Sequence, residues 1–473
     1  MEKEKSVMAN EQTGANYRVK ERIKFGEIFG YGLGDFAGNL IYGMVSSFAT
    51  YYYTNSVGMA AAAVGTMFML SRIFDGISDI IMGLLIDRTK SKHGKARPWI
   101  LWMVVPFALA VILQFAVPRS FSPIGKLIYA YITYNFLSTI VYTAVNQAYG
   151  TLNVMITDNP QDRARLSISR MAMAMIAVIL LNSTVMPLVA VFGGDSTAWT
   201  IVAAIMGIVS IVLLLITFAT TKERVGAEEG REENIQKKEQ VPIGIALKAL
   251  FTNKYWINRI LFALAITIAT MTTSANVYYA QYWLGDENLT GVISIANVLP
   301  MLIALGFVNF FLKRIGNRNT SLLGAGIMLI GFALQFIAPA SYMIVLIGTG
   351  IRGFGTGLAS TVTAVMLGDT IDYGEWKSGI RTDGLVYSAS SFGTKVGNGV
   401  ATASLGWALA IGNFDAALAV QGDSALASIK FVFTILPMLA TILAVVLNLL
   451  FNLDKKMPQI RDDLREREAK AGK

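Results

Sequence analysis

Arg72, Asp75 and Asp79 stand in S-R-I-F-D-G-I-S-D-I-I-M-G, inside a long apolar run. Positions 75 and 79 are one helical turn apart, so their carboxylates share a face. At bilayer depth a carboxylate costs roughly 2.5–3.5 kcal/mol on insertion scales. Two on one face, following an arginine, offer a path for a cation. Arg72 and Asp75 alone also suit a static ion pair between helices. Lys395 lies deep in a later apolar run, in G-T-K-V-G-N-G, with no acid within ten residues of it. Its candidate partners are Asp75 and Asp79, which places both segments around one cavity. Asp35, Arg170, Arg259 and Arg352 complete the ionisable groups inside apolar runs, with Arg259 near a helix end and expected to snorkel. Asn39 and the string T-A-V-N-Q-A-Y-G at 143–150 form a polar, uncharged set that includes Asn146 and Gln147. Amides donate and accept together, which suits sugar hydroxyls. Tyr42, Tyr142, Tyr149 and Trp376 can stack on the C–H face of a sugar, although each equally suits helix packing. The run Tyr51-Tyr52-Tyr53 reads most simply as an interfacial aromatic belt.

Such groups need long apolar elements to hold them. The chain has 473 residues, 54% hydrophobic and 15% charged, against about 25% charged in soluble domains. Apolar runs of membrane-spanning length recur throughout, so a polytopic membrane protein is expected. No cysteine is present, and the single histidine, His93, lies in a basic loop. Thiol chemistry, a histidine-based metal site and a histidine triad are thereby excluded, and no enzyme is expected. The net charge of +9 is spread over loops between apolar runs rather than gathered in a patch, so no nucleic-acid partner is expected. The glycine-rich string at 348–357 lies inside an apolar run, where it suits close helix packing better than a phosphate. No cofactor is expected. Without a nucleotide site, transport must run on an ion gradient.

Twelve spans are predicted, at about 26–54, 58–86, 98–117, 125–154, 167–192, 198–219, 256–283, 289–312, 320–339, 342–367, 383–412 and 428–452. Basic residues fill alternate loops: Arg88 to Arg97, Arg163 and Arg165, Lys222 to Lys238, Lys313 to Arg318, Lys377 and Arg381, and the tail from Lys455. The loops at 55–61, 192–197, 285–291 and 338–341 have no Lys or Arg; only Arg119 and Lys126 break the alternation. The positive-inside rule then puts both termini in the cytoplasm of a multi-pass cell-membrane protein, with the lipid bilayer as its surroundings. The first 24 residues contain no apolar stretch, so no cleavable signal is expected. The polar stretch near residue 230 splits the spans six and six. This divides the chain into a first bundle at 1–222, a cytoplasmic linker at 223–241, a second bundle at 242–455 and a charged tail at 456–473. Two six-helix bundles around a midplane site form the major facilitator architecture, so an all-α fold of that type is expected.

The motifs also resemble a known family. F-D-G-I-S-D-I-I-M-G with D-R-T-K-S-K-H-G-K-A-R-P-W, Y-Y-Y-T, N-Q-A-Y-G-T-L, D-R-A-R-L and D-Y-G-E-W-K-S-G-I-R-T-D-G-L resemble the glycoside–pentoside–hexuronide:cation symporters, the melibiose permease family. The resemblance runs along the whole chain. It implies a cation site at Asp75 and Asp79, with Ser78 and Thr143 as neighbouring oxygen donors and Lys395 close to both cation and sugar. It implies sugar contacts from Arg170 and from positions 39 and 146, where melibiose permease has aspartates and this chain has asparagines. Gly150 falls where that permease has a stacking tryptophan. These departures point away from melibiose, towards the glucuronide and xyloside branches. Asn39, Asn146, Gln147, Tyr149, Arg170 and Lys395 are therefore the sugar-side candidates, and Asp87, Arg88, Arg97 and Arg381 the candidates for a cytoplasmic gate. The expectation is a monomeric symporter that imports a glycoside by alternating access, with H⁺ preferred over Na⁺, although Asp75 and Asp79 also suit Na⁺. A Na⁺-coupled galactoside carrier, a drug or lipid exporter on the same scaffold, and a non-transporting sugar sensor are the alternatives.

Overall fold

The computed structural model describes residues 23–225, 248–270, 273–380 and 383–471. Residues 226–247, most of the expected linker, lie outside that range, as do Arg381 and the first 22 residues. Among the described residues there are helices and no strands. In chain order the first bundle contains α1 (Phe25–Tyr51), α2 (Ala61–Arg88), α3 (Arg97–Gln114), α4 (Pro123–Asn135), α5 (Thr143–Ile156), α6 (Pro160–Val191) and α7 (Ser196–Thr220). The second contains α8 (Lys254–Thr270), α9 (Thr273–Tyr282), α10 (Leu289–Ile337), α11 (Tyr342–Ser378), α12 (Asp383–Ile411), α13 (Asp423–Lys430), α14 (Leu436–Leu450) and α15 (Met457–Ala471). π-Helical segments follow α1 (Tyr52–Ser56), join α4 to α5 (Phe136–Tyr142) and join α13 to α14 (Phe431–Ile435).

Each expected span falls on helix. Seven candidates are long and apolar enough to cross a membrane by length and composition. Ala61–Arg88 is not among them; it carries Arg72, Asp75, Asp79, Asp87 and Arg88. The expected spans at 289–312 and 320–339 are two helices, together labelled α10, that meet at a kink at Gly316 with φ 79° and ψ 174°. That positive φ is open to glycine at little cost.

The two ends of the bundle are built differently. At the end with uncharged loops, Arg119 and Lys126 are both engaged. Arg119 pairs with Asp195 at 2.6 Å, and Lys126 Nζ donates to the Val57 carbonyl at 3.1 Å. Asp195 caps α7, and the Ala198 N–H together with Arg119 holds its carboxyl below the usual range. The tyrosine run is not a belt. Tyr51, Tyr52 and Tyr53 are 7%, 0% and 0% exposed, packed with Phe68, Phe115, Trp199 and Tyr278. Three aromatics at the end of the first span were the reason to expect an interface. One of them instead serves the interior, since Tyr52 Oη accepts from the Val117 N–H at 3.1 Å.

At the basic end, each bundle is fastened by the chain leaving its last helix. Glu223, after α7, accepts from the backbone N–H groups of Lys95, Ala96 and Arg97 at 2.9, 2.9 and 2.8 Å, while Arg97 Nη2 reaches the Phe218 carbonyl. In the second bundle Asp454, after α14, accepts from the Arg318 N–H at 3.1 Å, and Arg318 reaches the Asn448 and Leu449 carbonyls. A carboxylate on exposed helix-start N–H groups is electrostatically favourable. The two staples form an internal repeat that few shared letters betray.

Candidate functional site

The two bundles meet through few polar contacts. Among the described residues the hydrogen bonds and ion pairs between them are Thr54–Tyr278 at 2.6 Å, Asn55–Tyr282 at 2.9 Å, Trp407–Thr66 at 3.1 Å, and the contacts of Lys395 with Asp79 and Asp75. All lie at the uncharged end or at mid-depth. Glycines permit the close approach of α2 and α12. A Cβ on Gly65 would stand 2.8 Å from the Ala403 carbonyl, and one on Gly399 would stand 2.9 Å from Arg72 Cγ. Small residues let helices pack this closely, and that proximity delivers Lys395 to α2.

Lys395 forms an ion pair with Asp79 and donates to the Asp75 carbonyl at 3.1 Å. The lysine and both acids therefore converge across the bundles. The two acids are not equivalent. Asp75 Oδ2 pairs with Arg72 Nη1 at 3.0 Å, Ser138 Oγ lies 3.2 and 3.3 Å from its two carboxylate oxygens, and Thr139 Oγ1 donates to Oδ1 at 2.7 Å. Its side chain is 7% exposed, against 27% for Asp79. Asp75 is thus a saturated, buried acceptor, and Asp79 is an accessible one with a single charged partner. Ser78 Oγ donates to the Asp75 carbonyl at 3.1 Å and lies 3.4 Å from Thr143 Oγ1, so both expected oxygen donors flank the pair. Ser138 and Thr139 were not foreseen. They sit in the π-helical Phe136–Tyr142, whose wider turn aims adjacent hydroxyls at one carboxylate. The only sequence signal was an S-T pair inside an otherwise apolar stretch.

A second polar group lies on α1, α5 and α6. Arg170 Nε is 3.3 Å from Asp35 Oδ1, and its guanidinium lies 5.1 Å from the centre of the Tyr149 ring. Tyr149 is stacked on Tyr31 at 4.5 Å and is 2% exposed. The two tyrosines exchange hydroxyl-to-carbonyl hydrogen bonds across the helices. Tyr149 therefore backs Arg170 and has no open face for a sugar, because Gly34 of α1 packs directly on its ring. Asn39 Nδ2 donates to the Asp35 carbonyl at 2.8 Å, leaving its oxygen without a protein donor among the described residues. The side chains of Asn146 and Gln147 are half-buried and make no hydrogen bond there. Tyr42 and Tyr142 stack at 4.8 Å between the two groups, with Arg72 Nη2 donating to Tyr42 Oη at 3.2 Å.

Other expected residues lie elsewhere. Trp376 is at the basic end of α11, donating to Asp463 of α15 at 2.8 Å, far from a sugar-stacking role. Arg259 does not snorkel. It is 1% exposed, bonded to Asn258 and Asn448, with its guanidinium 4.5 and 4.1 Å from the Phe262 and Phe451 ring centres. Arg352 is also buried, between Phe332 and Phe433. Of the gate candidates, Asp87 and Arg88 are exposed at the end of α2 with no hydrogen bond among the described residues. Arg97 is tied to Phe218 within its own bundle, and Arg381 lies outside the described residues.

Comparison with known proteins agrees with this architecture. The family model described as "MFS/sugar transport protein" matches residues 30–455. The isoprimeverose transporter of Lactiplantibacillus pentosus is 35% identical over 95% of this chain and 93% of its own length. The glucuronide carrier protein homolog of Escherichia coli strain K12 is 31% identical, covering 93% of this chain and 96% of its own. Among solved structures, the nucleoside transporter NupG superposes with a TM-score of 0.59 at 14% identity, over 90% of this chain and 99% of that one. Tetrameric PepTSo2 gives a TM-score of 0.62 at 12% identity, over 92% and 99%. At such identities these two matches speak for the fold alone. The chain is a membrane transporter and not an enzyme: it belongs to the MFS/sugar transport protein family, among the glycoside–pentoside–hexuronide:cation symporters.

Proposed function

We propose that this protein imports a glycoside together with one proton per cycle, by alternating access, as a monomer in the cell membrane with both termini cytoplasmic. The observation that carries the reading is the bridge from Lys395 of the second bundle to Asp79 of the first. A proton arriving on Asp79 cancels the charge that holds Lys395, so occupancy of the site is linked to the relation between the bundles. Asp75 has its carboxylate filled by Arg72, Ser138 and Thr139, which leaves Asp79 as the acceptor for the proton. Sugar hydroxyls meet Asn39, Asn146, Gln147 and Arg170 a few turns away. Coupling is reciprocal: sugar raises proton affinity by the factor by which the proton raises sugar affinity. Among the described residues the hydrogen bonds between the bundles lie at the uncharged end and at mid-depth, which supports a state closed on the outside.

The names of the relatives support a glycoside cargo, with glucuronides and pentosides, including xylosides, as the first candidates. Na⁺ remains the second reading, favoured by the cluster of oxygens from Asp75, Asp79, Ser78 and Thr143. The deciding experiment is uptake of labelled β-xylosides, glucuronides and galactosides by proteoliposomes with pH and Na⁺ gradients imposed separately. Accumulation driven by the pH gradient alone supports the proton. Equal accumulation driven by Na⁺ at fixed pH refutes it, and the absence of any glycoside flux refutes transport of this class.

A further inference from the structure

Asp35, whose side chain is 14% exposed, is a carboxylate with no role assigned so far. We propose that it binds the transported sugar directly, accepting hydroxyls of the glycoside while Arg170 donates to the same ligand; this rests on the glycoside-transport reading above. The three acids Asp35, Asp75 and Asp79 each face one cation, but their remaining capacity differs. Asp75 takes Arg72 and two hydroxyls. Asp79 takes Lys395, delivered from the other bundle. Asp35 has Arg170 as its charged partner, with Nε 3.3 Å from Oδ1 as the nearest approach.

Arginine–carboxylate pairs frequently adopt the two-bond fork, which is stronger and fixes the guanidinium. Here the nearest approach is Nε to Oδ1 at 3.3 Å. Among the described residues no hydrogen bond reaches Oδ2 of Asp35 or leaves either Nη group of Arg170, and the Arg170 side chain is 32% exposed. An ionised carboxylate offers about four acceptor sites, and a guanidinium five donors. The pair therefore presents open acceptors beside open donors, the set that adjacent sugar hydroxyls require. Its placement agrees. Asn39 lies one turn further along α1 and bonds the Asp35 carbonyl at 2.8 Å, and Tyr149 supports the guanidinium from below. The asparagines at 39 and 146 leave the sugar side without a carboxylate of their own. Asp35 supplies it.

The test measures binding, not flux. Calorimetry on the purified full-length protein uses methyl β-D-xyloside, methyl β-D-glucuronide and the 2-, 3- and 4-deoxy analogues of the xyloside. Asp35→Asn keeps the shape and loses the charge. It is expected to weaken parent-sugar binding about 10- to 100-fold, as for one charge-assisted hydrogen bond. That penalty should collapse to under about threefold on the one or two analogues lacking the hydroxyl that Asp35 accepts. If the Asn variant does not fold, Asp35→Glu is used, and its penalty must show the same dependence on one hydroxyl. A uniform loss on every analogue makes Asp35 a support for Arg170 and overturns the proposal, as does unchanged affinity. Wild-type protein that binds neither parent glycoside refutes the transport reading instead, and the proposal falls with it.

Discussion

Asp79→Asn removes one negative charge from the mid-depth bridge and leaves the side-chain volume unchanged. Under the proposed coupling, wild-type protein moves one charge per cycle; through 100 mV this gains about 2.3 kcal/mol. At about 1.4 kcal/mol per decade, that sustains roughly 40-fold accumulation of sugar before any proton gradient is added. The variant lacks the carboxylate that meets Lys395, and Asp75 stays filled by Arg72, Ser138 and Thr139, so the same potential should do no work on the sugar and the ratio should fall to about one. Exchange of labelled for unlabelled sugar should persist, since Asn39, Asn146 and Arg170 are untouched. Sugar affinity should also lose its dependence on pH, because the linked proton site is gone. The assay is paired: potential-driven uptake and equilibrium exchange, in the same proteoliposomes. Accumulation above about tenfold by the variant would refute the assignment of Asp79, since it would require a charge still coupled to the sugar. Loss of exchange as well would show that Asp79 holds the fold or the sugar rather than the driving ion.

Asp75 is expected to behave differently. Asp75→Ala strands Arg72 in a buried site and removes the acceptor of Ser138 and Thr139, at a cost of about 3–5 kcal/mol. The melting temperature should fall clearly, and by much more than in Asp79→Ala; equal shifts would contradict the difference in burial. Glu223→Ala leaves three backbone N–H groups of the α3 start without an acceptor and should destabilise the first bundle by about 1–2 kcal/mol, while Glu223→Gln recovers part of it. An unchanged unfolding midpoint in the alanine variant would rule out the staple. In Gly406→Val the new side chain meets the Ala61 carbonyl, which a Cβ alone would approach to 2.4 Å. The uncharged end should then fail to seat, so that a cysteine at position 55 reacts with an impermeant maleimide faster than in the parent. Unaltered labelling would mean that this contact does not hold the end shut.

Much of the architecture was legible because it is written in local composition. Apolar run length and the alternation of basic loops marked each helical segment, and the absence of any acid within ten residues of Lys395 pointed across the molecule to Asp75 and Asp79. What stayed hidden depends on distant partners or on helix distortion. Asp35 was visible as an acid in an apolar run, but its link to Arg170 spans two helices and leaves no spacing to read. Ser138 and Thr139 looked like incidental small residues until the π-helical turn aimed them at Asp75. Tyr149 had the right type for stacking, yet the absence of a Cβ at Gly34 lets α1 close over its ring. Arg259 was misjudged for a similar reason: its acceptors, Asn448 and Leu447, come from α14, so the buried charge is satisfied without reaching the surface. The paired roles of Arg97 with Glu223 and Arg318 with Asp454 recur in the structure although the surrounding letters differ.

The most direct test of proton-driven glycoside entry is the pH of a lightly buffered medium around proteoliposomes when sugar is added outside, with Na⁺ absent and the interior held negative by a potassium diffusion potential. The account predicts external alkalinisation that starts with the sugar and follows its uptake at one proton per molecule. Sugar entry without any pH change, or entry that waits for Na⁺ to be supplied, would contradict it.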